Sequence, residues 1–191
     1  MPRISLTQSA HNVIQDHLHA DDTAIDATVG NGHDTLFLAG LTGTGGSVYG
    51  FDIQPSALAS ARSRLEQHRL DGCVTLINDS HARIAELIPK ALHGKVKAVM
   101  FNLGYLPGSD KTVITRSEST LTALNAALQV LAPHGVITVL AYPGHSGGDQ
   151  ETNSVQAWCE QLDTHRYTFS MLHGDAQKST SPRLFVIRLL K

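Results

Sequence analysis

Basic charge is scarce in this chain: 15 Lys and Arg against 17 Asp and Glu give a formal net charge of −2 over 191 residues. A strongly basic footprint of the kind that grips nucleic acid through its general field is therefore absent, and an RNA partner has to be held by a local patch. The charges are only mildly uneven, with Lys111, Arg116, Lys178 and Arg183 gathered in two late stretches expected to be loops. Cysteine is nearly missing. Cys73 and Cys159 lie far apart, and neither has a Cys or His nearby at metal-ligand spacing. They read as small buried apolar residues, with one bridge between them as the alternative, and no metal is expected. Long apolar runs are also missing. No stretch is long enough to span a bilayer, and Met1-Pro2-Arg3-Ile4-Ser5 is not followed by the apolar core of a signal peptide, so a cytoplasmic location without membrane contact is expected.

What is present is 41% hydrophobic and 17% charged residues, the balance of a globular chain. The length fits one domain spanning residues 1–191, with residues 1–20 as an N-terminal helical segment packed on it. Leu6, Ala10, Val13, Ile14 and Leu18 fall at helical spacing between Ser5 and Leu18. Strand and helix then alternate: a strand over Ala24 to Val29, a helix from Asp34, a strand over Ser47 to Phe51, a helix from Ser56 to His68, and a strand over Val74 to Ile77. Ala82 to Leu92 reads as a helix, Ala98 to Phe101 as the fourth strand, Leu121 to Leu131 as a helix, Val136 to Leu140 as the fifth strand, and Thr152 to Leu162 as its helix. Tyr167 to Leu172 and Leu184 to Leu190 are extended and have no helix between them, so they are expected to run antiparallel. The alternation predicts an α/β chain with a mostly parallel seven-stranded sheet, helices on both faces and a C-terminal antiparallel hairpin.

Polar residues collect where strands end. The first turn reads Asp26-Ala27-Thr28-Val29-Gly30-Asn31-Gly32-His33-Asp34. Its glycines let the backbone turn tightly and approach a ligand closely. A dinucleotide site wants a third glycine at the G-x-G-x-x-G spacing, where this chain has Thr35. Asp26 before the glycines would repel a pyrophosphate but suits the ammonium of a methionine moiety, which disfavours a nicotinamide oxidoreductase. Asp52 lies 20 residues beyond Gly32, placed to accept two hydrogen bonds from ribose hydroxyls, and Gln54 follows in the same loop. The third strand ends in Asn78-Asp79-Ser80-His81, whose polar side chains can read an adenine; helix capping is the plain alternative for Asp79 and Ser80. Ligands of open α/β sheets bind at these carboxyl ends.

The whole plan resembles the Rossmann-like fold of class I methyltransferases. The strings Asp26 to Thr35, Gly50-Phe51-Asp52-Ile53-Gln54, Phe101-Asn102-Leu103-Gly104-Tyr105-Leu106-Pro107-Gly108 and Tyr142-Pro143-Gly144-His145 resemble one bacterial family in particular, over nearly the whole chain from Ala10 onward. Once known as rRNA methylases, members of that family methylate 5-aminomethyl-2-thiouridine at the tRNA wobble position. The resemblance implies S-adenosyl-L-methionine as cofactor, the tRNA anticodon loop as partner, and transfer of one methyl group to the aminomethyl nitrogen. Self-association is left open. The cofactor set it implies is Asp26, Gly30, Asn31, Gly32, His33, Asp34, Asp52, Gln54, Asp79, Ser80, His81 and Asn102. Residues 175–182, Asp-Ala-Gln-Lys-Ser-Thr-Ser-Pro, depart from the family's pattern of an Asn and a Pro-Pro pair between the last two strands.

Asn102-Leu103-Gly104-Tyr105 also resembles the Asn-Pro-Pro-Tyr loop of enzymes that methylate exocyclic amines. By that likeness the Asn102 amide oxygen and a backbone carbonyl from Leu103 or Gly104 accept the hydrogens of the amine, and Tyr105 stacks on the uracil. Asp110 and His145 are candidates for a general base; a solvated charge or helix cap, and a turn hydrogen bond, are their plainer roles. Lys111, Arg116, Lys178 and Arg183 are candidates for anticodon phosphates, with ordinary solvated charges as the alternative. Methylation of rRNA or of a small amine fits the same motifs, and a noncatalytic S-adenosylmethionine- or RNA-binding module is the alternative from another class.

Overall fold

A computed structural model describes residues 4–104, 117–144, 147–175, 178 and 180–191. Ser5 caps the first helix, its hydroxyl accepting the Gln8 N–H at 3.1 Å, and α1 (Leu6–Gln15) buries Ala10 and Ile14. The elements that follow are β1 (Thr23–Asp26), α2 (His33–Thr42), β2 (Ser47–Phe51), α3 (Pro55–Gln67) and β3 (Val74–Ile77). Then come α4 (Ile84–Leu87), β4 (Val96–Asn102), α5 (Ser117–Val130), β5 (Leu131–Ala141), α6 (Gly148–Glu160), β6 (Tyr167–His173) and β7 (Arg183–Leu189).

All seven strands join one sheet in the order β3-β2-β1-β4-β5-β7-β6. The first five are parallel, while β7 runs antiparallel to both β5 and β6. This is the expected architecture, with one detail spacing does not give: the last strand slips between β5 and β6 and leaves β6 at the edge. Alternating side chains feed two cores, as strand geometry requires. Ala24, Ala98, Met100, Leu140 and Val186 pack with Ala10 and Ile14 of α1, Leu38 of α2 and Leu65 of α3. Ile25, Val99, Phe101, Ile137 and Phe185 face the opposite way, onto Leu124 and Val130 of α5 and Val155 of α6.

Several boundaries differ from expectation: α5 starts at Ser117 and α6 at Gly148, each four residues early, and β4 spans Val96–Asn102. The segment from Ala82 to Leu92 is not one helix: α4 is a single turn between two 3-10 turns, His81–Arg83 and Lys90–Leu92. Pro89 is the reason, because it has no N–H to donate and drives Ile88 out of helical geometry to φ −75°, ψ 134°. Strand β1 stops at Asp26, which leaves Ala27, Thr28 and Val29 to the turn. Strand β5 begins earlier, at Leu131, with a register break between the pairs Val96–Leu131 and Ala98–Val136. Cys73 and Cys159 are free; Cys159 sits in the core, where burial pushes its thiol up to about 12. Among the described residues no helix is long and apolar enough to cross a membrane.

Candidate active site at the carboxyl rim of the sheet

The turn after β1 is held from inside. Gly30 and Gly32 take φ of 50° and 78°, the left-handed region that suits glycine, and a Cβ on Gly32 would lie 2.7 Å from the Ala61 Cα. Glycine there lets α3 pack directly on the turn. Arg64 of α3 adds a hydrogen bond from its Nε to the Asn31 carbonyl at 2.9 Å. Asp26 is only 1% exposed. Its two oxygens accept the Thr28 N–H at 3.0 Å and the Thr35 hydroxyl at 2.6 Å. Burial, followed by the nearby charge of Asp34, raises its carboxyl from 3.8 to about 7. The sequence led us to expect an acid here that suits a ligand's ammonium. Instead it is a buried brace of the turn, its oxygens taken by Thr28 and Thr35.

Asp52 is the more open acid. One oxygen accepts the Gly30 N–H and the other the Gln54 N–H, both at 2.9 Å, which joins the turn after β1 to the loop after β2. A carboxylate oxygen has two acceptor directions, so each keeps one for a further donor. Next to it Ile53 stands 56% exposed, a large aliphatic surface beside a fixed carboxylate. Gln54 precedes Pro55 at the start of α3, and its backbone is what holds Asp52.

After β3 the polar side chains are largely spoken for. Asn78 donates from Nδ2 to the Asp52 carbonyl at 3.0 Å. Asp79 forms an ion pair with Arg83, whose guanidinium also reaches Glu86 at 2.9 Å. The Ser80 hydroxyl accepts the Ala82 N–H at 3.2 Å, so capping, the plainer of its two expected roles, is what the structure shows. His81 is buried, with Nδ1 3.0 Å from the Ala27 carbonyl and its ring tilted against Phe101. A carbonyl only accepts, so Nδ1 carries the proton; burial lowers the pKa of the ring and favours its neutral form. His81 thus ties the turn after β1 to the start of the α4 region. His33, the first residue of α2, is exposed.

At the end of β4, the Asn102 N–H donates to Thr28 Oγ1 at 2.7 Å, and its side-chain Nδ2 lies 3.5 Å from Asp34 Oδ2. The other Asp34 oxygen is 2.7 Å from Nε2 of His11, on α1. The His11 ring stacks on Phe37, centroids 3.8 Å apart and planes within 7°. Leu103 is 2% exposed, its side chain in the core and its N–H bonded to the Leu140 carbonyl at 2.8 Å, so only its own carbonyl is left to offer a substrate. Gly104 follows at φ 136°. Tyr105, Asp110, Lys111, Arg116 and His145 lie outside the described residues. Lys178 is exposed, 3.9 Å from Asp175. Arg183 is not in a loop: it opens β7 opposite Ala141 and His173, at the same rim, and its guanidinium reaches Gln156 at 3.1 Å and Asn153 at 3.4 Å.

The rim therefore brings Asp34, Asp52 and Asn102 together as the sequence led us to expect. It adds His11, Thr28, Thr35, Ile53 and Arg64, none of which was singled out. Thr28 and Thr35 stood within the Gly-rich string and Ile53 between two chosen residues, so adjacency was the available signal for these three. His11 and Arg64 carried none.

Comparison with known proteins agrees with this architecture. The family model described as "Putative rRNA methylase" matches residues 48–188. A crystal structure described as a "putative rRNA-methylase" from Clostridium thermocellum shares 39% identity, with a TM-score of 0.92 over 99% of both chains. A Streptococcus mutans protein solved in complex with SAH shares 35% identity at a TM-score of 0.86, over all of both chains. The "tRNA (mnm(5)s(2)U34)-methyltransferase, chloroplastic" of Arabidopsis thaliana is 42% identical over 164 residues, which is 82% of this chain and 59% of the plant protein. The chain thus spans about 59% of that relative's length. An O-methyltransferase of Thermotoga maritima, 14% identical at a TM-score of 0.66, shares the fold alone.

Proposed function

This chain belongs to the rRNA methylase family, and we propose that it is an S-adenosyl-L-methionine-dependent methyltransferase acting on the aminomethyl nitrogen of 5-aminomethyl-2-thiouridine at the tRNA wobble position. The observation that carries the proposal is the pairing at one rim of a pinned carboxylate, Asp52, with an oriented amide, Asn102. The name of the plant relative, 42% identical, supports the choice of substrate.

The residues present fit such a cofactor. Asp52 has acceptor directions left for a ribose diol, and the exposed face of Ile53 suits the flat side of an adenine. Asp34, beside the Asn102 amide in the first turn of α2, gives this part of the rim an acidic neighbourhood for a cationic methionine end. Bound there, S-adenosylmethionine supplies an electrophilic methyl group on a sulfonium. The chain's own work is orientation. Asn102 accepts an amine hydrogen on Oδ1, the Leu103 or Gly104 carbonyl accepts a second, and the nitrogen lone pair is left aimed along the transfer axis. A wobble base already lies in an accessible loop, so unstacking it costs little. With a net charge of −2, the chain must hold the anticodon through a local patch, and Arg183 and Lys178 near the rim are its described members. We place the activity in the cytoplasm.

Nucleoside mass spectrometry of tRNA from a strain lacking the gene tests this reading. Accumulated 5-aminomethyl-2-thiouridine, converted to its methylated form by purified protein and S-adenosylmethionine, is the expected result. Unchanged tRNA nucleosides, with a methyl group missing from rRNA or from a small amine, would move the activity to one of those acceptors.

A further inference from the structure

Asn102 has a donor end and an acceptor end, and a carboxylate can only accept. The amide therefore meets Asp34 through Nδ2, 3.5 Å from Asp34 Oδ2, and Oδ1 is turned away. That contact is long, as hydrogen bonds in ligand-free reaction centres often are. The bond on the other side of Asp34 is short: its Oδ1 lies 2.7 Å from His11 Nε2. Both partners are largely shielded, with side chains 20% and 11% exposed. The His11 ring cannot swing freely because it lies flat on Phe37 at 3.8 Å. Asp34 sits in the first turn of α2, where the helix dipole favours a negative charge. Its rotation and its distance to Asn102 are thus fixed from α2 and α1 together, while Thr28 fixes the Asn102 backbone.

We infer that His11 is a positioning residue of the reaction centre: by holding Asp34 it sets the Asn102 amide with the oxygen facing the acceptor amine. The inference rests on the role given to Asn102 above. Through His11 the first helix of the chain becomes part of the machinery rather than a cover on the sheet. The amine hydrogen is received on the oxygen that the His11–Asp34 pair leaves outward. Without His11, one Asp34 oxygen loses its partner, the carboxylate is free to rotate, and the amide can flip to present hydrogens where an acceptor is needed.

Three variants separate this role from plain packing. His11→Phe keeps a ring to stack on Phe37 but has no nitrogen. His11→Gln offers an amide nitrogen at about the reach of Nε2. His11→Asn is too short to reach Asp34 and supplies the same contrast as the phenylalanine variant if that one does not fold.

The first readout needs no substrate: the side-chain amide pair of Asn102 in a proton–nitrogen correlation spectrum, assigned by its absence in Asn102→Ser. Hydrogen exchange of that pair should be at least about tenfold faster in His11→Phe and close to the parent in His11→Gln. The second readout is single-turnover methylation of tRNA carrying 5-aminomethyl-2-thiouridine at saturating S-adenosylmethionine. The rate should fall by about 30-fold to 100-fold in His11→Phe and recover to within about threefold of the parent in His11→Gln, the scale expected for a misplaced reacting group. Calorimetric affinity for S-adenosylmethionine should stay within about threefold in both, because the change is in orientation rather than in binding. An Asn102 amide signal indifferent to His11→Phe, or a glutamine variant as impaired as the phenylalanine one, would overturn the inference. A parent protein that leaves that tRNA unmethylated while the amide signal still follows His11 would sink the substrate assignment and leave the positioning relation standing.

Discussion

Thr28 and Asn102 are 74 positions apart in the chain, yet the hydroxyl of the first accepts the backbone N–H of the second at 2.7 Å. That bond joins the turn on the cofactor side to the loop on the acceptor side, so the two halves of the rim keep a fixed spacing. Thr28→Val preserves the shape and deletes the acceptor, leaving a shielded N–H unpaired at a cost of about 1–3 kcal/mol. We expect a lower melting temperature and a kcat reduced by about tenfold or more, with affinity for S-adenosylmethionine within about threefold. Calorimetry and steady-state kinetics on the same preparation check both halves; a variant that loses only cofactor affinity would place the bond on the other side of the site.

Asp52→Ala removes the carboxylate that spans two loops and, in the proposed complex, the acceptor for two ribose hydroxyls. Hydrogen bonds to a charged group contribute about 1.5–3 kcal/mol each, so a loss of about two to four orders of magnitude in S-adenosylmethionine affinity is expected. Isothermal titration reads this directly, and unchanged affinity would remove the ribose assignment.

Asn102→Ala should separate chemistry from cofactor binding. The backbone bond to Thr28 is retained, because it uses the main-chain N–H. The amide that orients the amine is gone, and kcat should fall by about 100-fold or more while S-adenosylmethionine still binds. Full turnover would mean that the amine is oriented by another group.

Asp26 gives the fold a pH dependence of definite sign. Its folded value of about 7 lies above the ordinary 3.8, so between those two values the native state holds a proton that the unfolded chain has released. The contribution is complete below about 3.8, falls as pH rises, and is lost above about 7. Asp26→Asn can accept from Thr28 and donate to Thr35 without carrying charge. Its stability relative to the parent should therefore increase by a few kcal/mol between pH 5 and pH 8, roughly 1.4 kcal/mol for each unit of displacement. Urea unfolding of both proteins at several pH values measures it. A difference that stays flat with pH would show that the carboxyl titrates normally in the fold.

Gly32→Ala should be costly. The added Cβ would meet Ala61 backbone at 2.7 Å, on a residue already at φ 78°. Crowding and backbone strain together suggest a loss of about 2–4 kcal/mol, read as a lower unfolding midpoint with an unchanged denaturant slope. A variant as stable as the parent would mean that α3 withdraws from the turn without penalty.

Much of the frame could be read from spacing. Short apolar runs alternating with amphipathic helices placed β2 and β3 at their observed residues, and they located Asp52 and Asn102 at strand ends. The failures have local causes too. Pro89 interrupts a pattern that looks helical by hydrophobicity alone, since periodicity does not register a missing N–H. Ser80 looked equally suited to a ligand and to a cap, because a hydroxyl serves either and only its geometry to Ala82 decides.

The order of apolar and polar residues along the chain settled on its own that strands alternate with helices and that acids stand at the carboxyl ends of parallel strands. It did so because side-chain periodicity is a property of neighbours. Which of those acids remains open was settled only by packing across the sheet. Asp26 is consumed by Thr28 and Thr35, Asp52 keeps acceptor directions to spare, and Asp34 is claimed by a histidine from a helix 23 positions earlier. Hydrogen-bond partners are chosen by distance in space, and no spacing along the chain contains the fold of α1 onto the rim that brings His11 to Asp34.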